Sequence, residues 1–259
     1  MRSSLIGSLL QALKFNLDRK AERVRIFEVG RVFIRDNAVM ATDSTVRGIH
    51  QPMRVAGLAF GDADVLQWGR KRRETDFFDV KGDVEALLSP LNAQFAPGQH
   101  PALHPGRCAA ISRDGREIGV LGELHPRWRQ NWELAHAPVL FELDLEAVLG
   151  RTVAVFEPVP RFQQSQRDIA LIVADGVTHA SIMAAVRSAD TGGLLRDAVL
   201  FDVYKPTLAV AGLGTDEKSL TVRLTLASAA ATLTDEQIDS AVKAVVGHIA
   251  NRLGGRLRS

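Results

Sequence analysis

Three short constellations in this sequence hold residue types that can do chemistry. The first is His100, His104 and Cys108, spaced four apart. Imidazole and thiolate are zinc ligands, but Pro101, Pro105 and Gly106 break any helix that would align them, and no fourth ligand follows at finger spacing. No metal is expected there; a turn-rich loop around a buried thiol is the plainer reading. The second is the run Arg70-Lys71-Arg72-Arg73. It offers positive charge to phosphates, whereas Glu74 and Asp76 directly behind it fit an ordinary solvated loop. The third pairs Phe201-Asp202-Val203-Tyr204 with Lys218-Ser219-Leu220.

That third constellation is the most specific. If the two segments form a hairpin, the end of one strand lies beside the start of the next. Side chains alternate along a strand, which predicts Asp202 and Tyr204 on one face and Phe201 and Val203 on the other. A flat aromatic beside a carboxylate and a hydroxyl is a receptor for one unstacked base. Stacking is worth about 1–3 kcal/mol per base, and a carboxylate accepts from the N1–H and N2–H of guanine. The competing reading is a hairpin capped by Asp202 with Tyr204 lying over the sheet.

Other chemistry is absent. The sequence contains neither GxxxxGK[ST] nor GxGxxG, no GxSxG elbow and no HExxH. The glycines from Gly115 to Gly122 run into Glu123, which would repel a phosphate. Asp79 and Asp83 are explained by a helix N-terminus that favours carboxylates, and His125 before Pro126 reads as a helix start. Catalysis by this chain alone is not expected.

The elements that must position these residues follow from periodicity and punctuation. In the first half, a helix is expected through Leu5, Leu9, Leu13 and Leu17, capped by Ser3 or Ser4. Strands are expected at Arg23–Phe33 (with a bulge at Gly30), Met53–Phe60, Ile118–Glu123 and Val139–Leu143, and helices at Phe78–Leu88, Pro126–Trp132 and Leu145–Leu149. Residues 1–150 thus read as one α+β domain and residues 151–165, with Pro158 and Pro160, as a linker. Residues 166–259 read as strand Arg167–Val173, a helix from Thr178 to about Ser188 ended by Gly192-Gly193, strands Leu194–Tyr204 and Ser219–Leu226, a helix opened by the Thr234–Gln237 capping box and stopped at Gly254-Gly255, and a short strand at 256–258. That βαββαβ order is ferredoxin-like.

Composition sets the outer bounds. The chain has 259 residues, 46% of them hydrophobic, with 32 Lys+Arg against 30 Asp+Glu. A near-neutral chain is not a strongly basic nucleic-acid coat protein, although a local basic surface remains open. Residues 1–160 carry 21 basic and 20 acidic groups and residues 161–259 carry 11 and 10, so neither half can hold RNA by bulk charge. The lone Cys108 fits a reducing compartment, and the longest apolar run, Ile169–Ala174, is strand length. A cytoplasmic protein with no membrane segment is expected.

The chain resembles the C-terminal portion of the bacterial phenylalanyl-tRNA synthetase beta chain family. The resemblance rests on Met1–Leu5 through Asn16–Arg19 with Val24–Phe33, on Leu103–Arg107 with Leu121–Pro126, and on Arg167–Ala170, Leu200–Tyr204, Lys218–Leu220 and Thr232–Glu236, in that order. It implies a class II synthetase-like domain of antiparallel sheet that has lost catalysis, followed by a ferredoxin-fold anticodon-binding domain. It implies that Asp202, Tyr204 and Ser219 contact the first anticodon base, a guanine, with Lys218, Arg256 and Arg258 as further RNA contacts. The implied partners are tRNA(Phe) and the alpha chain, in an assembly of two alpha and two beta chains. ATP and magnesium serve the whole enzyme, with no cofactor and no catalytic residue in this chain. The family's chain is far longer, so a truncated form beginning inside the first domain is expected. The alternative function is a small-molecule-binding or oligomerisation module built on the ferredoxin-like fold.

Overall fold

The computed structural model describes residues 1–150, 156, 161–208 and 212–258. The chain divides into two compact units, Met1–Ala154 and Val155–Ser259. Most of the expected linker at 151–165 lies outside the described residues.

The first unit opens with helix α1 (Ile6–Leu17), whose Ile6, Leu9, Leu10 and Leu13 are buried. No residue caps it in the ordinary way. Instead Ser4 Oγ accepts from the Ile6 amide, and Glu142 takes the Leu5 amide at 2.8 Å. Next come β1 (Val24–Arg31), the short pair β2 (Ile34–Arg35) and β3 (Ile49–His50), and β4 (Met53–Phe60). Strand β1 pairs with β4 in unbroken register from Val24 to Arg31, so Gly30 is not a bulge. What Gly30 provides is room, because a Cβ there would collide with the Arg2 guanidinium. The rest of the unit is α2 (Phe77–Leu88), β5 (Gln94–Pro97), β6 (Leu103–Arg113), β7 (Arg116–Leu124), α3 (Pro126–Asn131), β8 (Val139–Asp144) and α4 (Leu145–Leu149).

Its main sheet has six antiparallel strands in the order β1-β4-β8-β7-β6-β5. Helix α1 covers one face through Ala56, Leu58, Phe60 and Leu140, and α2 and α4 cover the other through Val55, Ala59, Leu121 and Leu143. Burial on both faces is why β4 reads as a nearly continuous apolar run instead of alternating.

The second unit contains β9 (Ser165–Ala174), α5 (His179–Ser188), β10 (Leu195–Tyr204), β11 (Glu217–Leu226), α6 (Asp235–Leu253) and β12 (Arg256–Leu257). The sheet order β10-β11-β9-β12, all antiparallel, is the ferredoxin-like arrangement. Thr178 caps α5, which ends at Ser188; Gly192 and Gly193 come later, in the turn to β10, both with positive φ. Thr234 and Gln237 form the reciprocal capping box of α6, and Gly254 at φ 66° closes that helix in the left-handed region. Ile182, Val186, Val245 and Ile249 of the two helices pack on Leu171, Val222 and Leu224 of the sheet. Both helices lie on this side. Among the described residues, the opposite side of the sheet carries no helix of this unit.

Candidate nucleic-acid interface

The uncovered side of the four-stranded sheet is set by register. Leu220, Val222 and Leu224 of β11 face the helices, so Ser219, Thr221 and Arg223 face away. Tyr204 pairs directly with Ser219 and Asp202 with Thr221, which places both on the open face. On the other flank, Ile172 of β9 pairs with Ser219 and with Arg256 of β12, and the Arg258 amide bonds Ala170 O at 2.9 Å. Strands β10, β11, β9 and β12 thus bring Asp202, Tyr204, Ser219, Arg256 and Arg258 onto one surface.

An irregularity in β10 makes this possible. The ladder runs Leu200 opposite Val222 and then Asp202 opposite Thr221, so Phe201 is an extra residue, a bulge. In a regular strand with Phe201 paired in turn, Asp202 and Tyr204 would follow Ala198 and Leu200 onto the helix-packed face. The bulge also corrects the alternation expected from sequence. Phe201 does not turn to the face opposite Asp202; its ring lies 5.0 Å from the Arg223 guanidinium on the open face.

Around Tyr204 the geometry is that of a half-open receptor. Tyr204 is 42% exposed, with the Arg258 guanidinium 5.5 Å from its ring centroid. Arg258 also makes a long contact, 3.5 Å, from Nη1 to Ser219 Oγ, and has no carboxylate at ion-pair distance among the described residues. Its charge is therefore available. Asp202 is exposed, and its carboxylate has no partner among the described residues. Ser219 is 2% exposed and sits beneath these groups, so its hydroxyl holds Arg258 more than it meets solvent.

The remaining expected contacts are placed differently. Arg256 is spent on Glu217 through a two-pronged ion pair, 2.8 Å for Nη2 to Oε2, and donates to Gly212 O at 3.0 Å. That guanidinium, helped by the Gly214 amide, holds the Glu217 carboxyl down at about 2. Lys218 has the phase of Leu220, on the helix side of the sheet, and its Nζ donates to Asp175 O at 2.7 Å. Residues 209–211 of the connecting loop lie outside the described residues.

Elsewhere the chemistry-bearing residues are occupied. Arg70 pairs with Asp64 at 3.2 Å and Arg72 with Asp62 at 2.7 Å. Arg73 grips Asp79 at 2.6 and 2.7 Å and holds that carboxyl at about 2. His100 and His104 each accept a backbone amide through Nδ1, from Ala102 and Gly106. Burial pushes the His100 imidazole down and the Cys108 thiol up. Among the described residues no group of three His, Cys, Asp or Glu could hold a metal ion. Arg25 and Glu28, three apart on β1, point to opposite faces, paired respectively with Asp83 at 3.0 Å and Arg2 at 2.5 Å.

Comparison with known proteins places this geometry. Residues 1–145 match the sequence profile described as "Phenylalanyl tRNA synthetase beta chain CLM domain", and residues 160–258 match "Ferredoxin-fold anticodon binding domain". The chain belongs to the phenylalanyl-tRNA synthetase beta chain family. It is 48% identical to the phenylalanine–tRNA ligase beta subunit of Cupriavidus pinatubonensis over 262 residues, 100% of this chain and 32% of that one. It is 43% identical to the Dechloromonas aromatica beta subunit over 260 residues, again 100% of this chain and 32% of the relative. The chain thus spans about a third of the length of the curated relatives it matches. A solved structure of the Desulfitobacterium hafniense pyrrolysyl tRNA synthetase PylSc, 15% identical, covers 57% of this chain and 48% of that one with a TM-score of 0.40, too low to bear on the fold. The family's ferredoxin-fold profile coincides with the unit whose sheet face is open. No helix among the described residues is long and apolar enough to cross a membrane.

Proposed function

We propose that this chain is the part of a cytoplasmic phenylalanine–tRNA ligase beta subunit that reads the anticodon of tRNA(Phe) and supports the alpha chain, in an assembly of two alpha and two beta chains. The observation that carries this reading is Asp202, Tyr204 and Arg258 converging on the one sheet face that the second unit's helices leave uncovered. The base of the first anticodon nucleotide, a guanine, stacks on Tyr204, and the free Asp202 carboxylate accepts its N1–H and N2–H. Arg258 closes the edge of the receptor with an unpaired charge that suits a neighbouring phosphate. Ser219 fixes Arg258 from below. The domains divide the work: residues 1–150 support the alpha chain and residues 166–259 read RNA. The alpha chain holds ATP, magnesium and phenylalanine, and the present chain contributes no catalytic side chain to amino-acid activation.

The test is binding of a tRNA(Phe) anticodon stem-loop to the full chain and to its Asp202→Ala variant. Asp202→Ala should weaken the guanine loop and narrow the preference over a loop carrying adenine at that position. Equal affinity of both proteins for the guanine loop would sink base reading. A melting temperature raised by phenylalanine but not by RNA would favour a small-molecule module instead.

A further inference from the structure

A second exposed aromatic stands on the same open face, and its surroundings are as specific as those of Tyr204. Phe201 is the bulged residue of β10 and is 52% exposed. Large aromatics on a sheet normally lie under a packing partner; this one rests on a single guanidinium. Arg223 beneath it is locked by two 2.8 Å bonds from Nε and Nη2 to the two oxygens of Asp168, its direct cross-strand partner. A bidentate pair fixes the plane of an arginine and neutralises its charge. Arg223 is therefore a stiff prop for the ring and has no charge to offer a phosphate. Val199, which pairs with Arg223 from the β10 side, is half exposed and extends the apolar surface.

We propose that Phe201, held by the Arg223–Asp168 pair, is a second stacking platform on this face, and that it takes the base of a nucleotide neighbouring the one on Tyr204 in the same single-stranded loop. The proposal rests on the anticodon-reading function above. Its physical basis is the spacing. Three residues of strand span about 10 Å before the bulge shortens them, which sets the two rings apart as platforms for separate bases. Four-stranded sheets that bind single-stranded RNA hold two or three bases in this way, with aromatics on the open face. Because Arg223 is neutralised, the second platform adds stacking and no salt dependence, and it is tolerant of base identity.

The test measures binding of the full chain to the tRNA(Phe) anticodon stem-loop and to copies with one abasic nucleotide at each loop position in turn. Phe201→Ala should weaken the intact loop roughly 5- to 150-fold, and Phe201→Tyr should retain affinity. Phe201→Leu, which keeps apolar bulk, should lose as much as Phe201→Ala; a loss that Leu spares would mark a packing role and overturn the proposal. The penalty of Phe201→Ala should vanish on the RNA abasic at one position other than the first anticodon base. If it vanishes at the first anticodon base, one nucleotide touches both rings and the second platform is refuted. If Phe201→Ala binds every RNA as wild type does while Tyr204→Ala weakens binding, the second platform alone fails. If neither variant weakens binding, the anticodon-reading function falls and the platform with it.

Discussion

The two main sheets of this chain are both antiparallel, yet their surfaces are spent differently. The six-stranded sheet of the first unit has helices on both faces, and its inner strand β4 is buried along most of its length. The four-stranded sheet of the second unit has both of its helices on one face. In the first, the inner strands are committed to packing and the exposed positions lie mainly toward the edges, as at Phe27 and Val29 of β1. In the second, alternate positions are released from packing and carry Asp202, Tyr204, Arg223 and Arg258. Individual basic groups differ in the same respect. The arginines at 70, 72 and 73 are each matched to a carboxylate, whereas Arg258 has none among the described residues. Density of charge in the sequence therefore does not pick out the proposed RNA surface; unpaired charge on an uncovered sheet face does.

The sharpest way to break this contrast is to cut equally into both kinds of surface. Leu143→Ala, at a fully buried position of the first sheet, should cost about 2–5 kcal/mol in urea unfolding. Tyr204→Ala should leave the unfolding midpoint nearly unchanged and instead cost about 1–3 kcal/mol in affinity for the anticodon stem-loop, measured by fluorescence anisotropy. A large loss of stability in Tyr204→Ala would mean that the open face is packed after all. Thr234→Ala, removing a capping hydroxyl from α6, should cost about 1 kcal/mol of stability and leave RNA binding alone.

Charge gives the smaller effects. Arg258→Gln should lower the salt dependence of RNA binding by a slope of about one phosphate contact, while Arg70→Gln leaves it unchanged. Acid titration reports on the structural carboxylate. Asp79 has its folded pKa depressed from 3.8 to about 2 by the Arg73 hydrogen bonds. A depressed carboxylate stabilises the fold above its unfolded pKa and loses that contribution as pH falls through the folded value. Asp79→Asn should therefore be less stable than wild type at pH 6, and the difference should close between pH 4 and pH 2.

The second unit was largely legible in the sequence because each of its elements is punctuated locally. Thr178 and Thr234 cap helices, and Gly254 ends one, each for reasons contained within a few residues. The first unit hid two strands of its main sheet, besides the short pair β2 and β3. Pro97, Pro105 and Gly106 mark turns in a sequence, yet β5 ends at Pro97, and β6 spans residues 103–113 by absorbing Pro105 and Gly106 into an irregular stretch between Leu103 and Cys108. Pairing with β7 decides that outcome, and pairing is not a local property. In the candidate site, Asp202, Tyr204 and Ser219 were legible as residue types. The role of Phe201 was not, because strict alternation places it on the wrong face and only the cross-strand register reveals the extra residue.

That extra residue makes the proposed recognition surface a matter of phase. From Ala198 to Leu200 and from Asp202 to Tyr204 the side chains alternate with a period of two, but the two stretches are out of step: Ala198 and Leu200 point inward, Asp202 and Tyr204 outward. A substitution at Phe201 leaves the step in place, whatever side chain is lost. Deleting Phe201 would take out the bulge and keep Asp202 and Tyr204 on the open face, whereas a regular ladder that kept Phe201 in step would turn the carboxylate and the phenol toward the helices. Which way the proposed site faces is thus set by how β10 registers on β11, a property that scans replacing one side chain at a time do not probe.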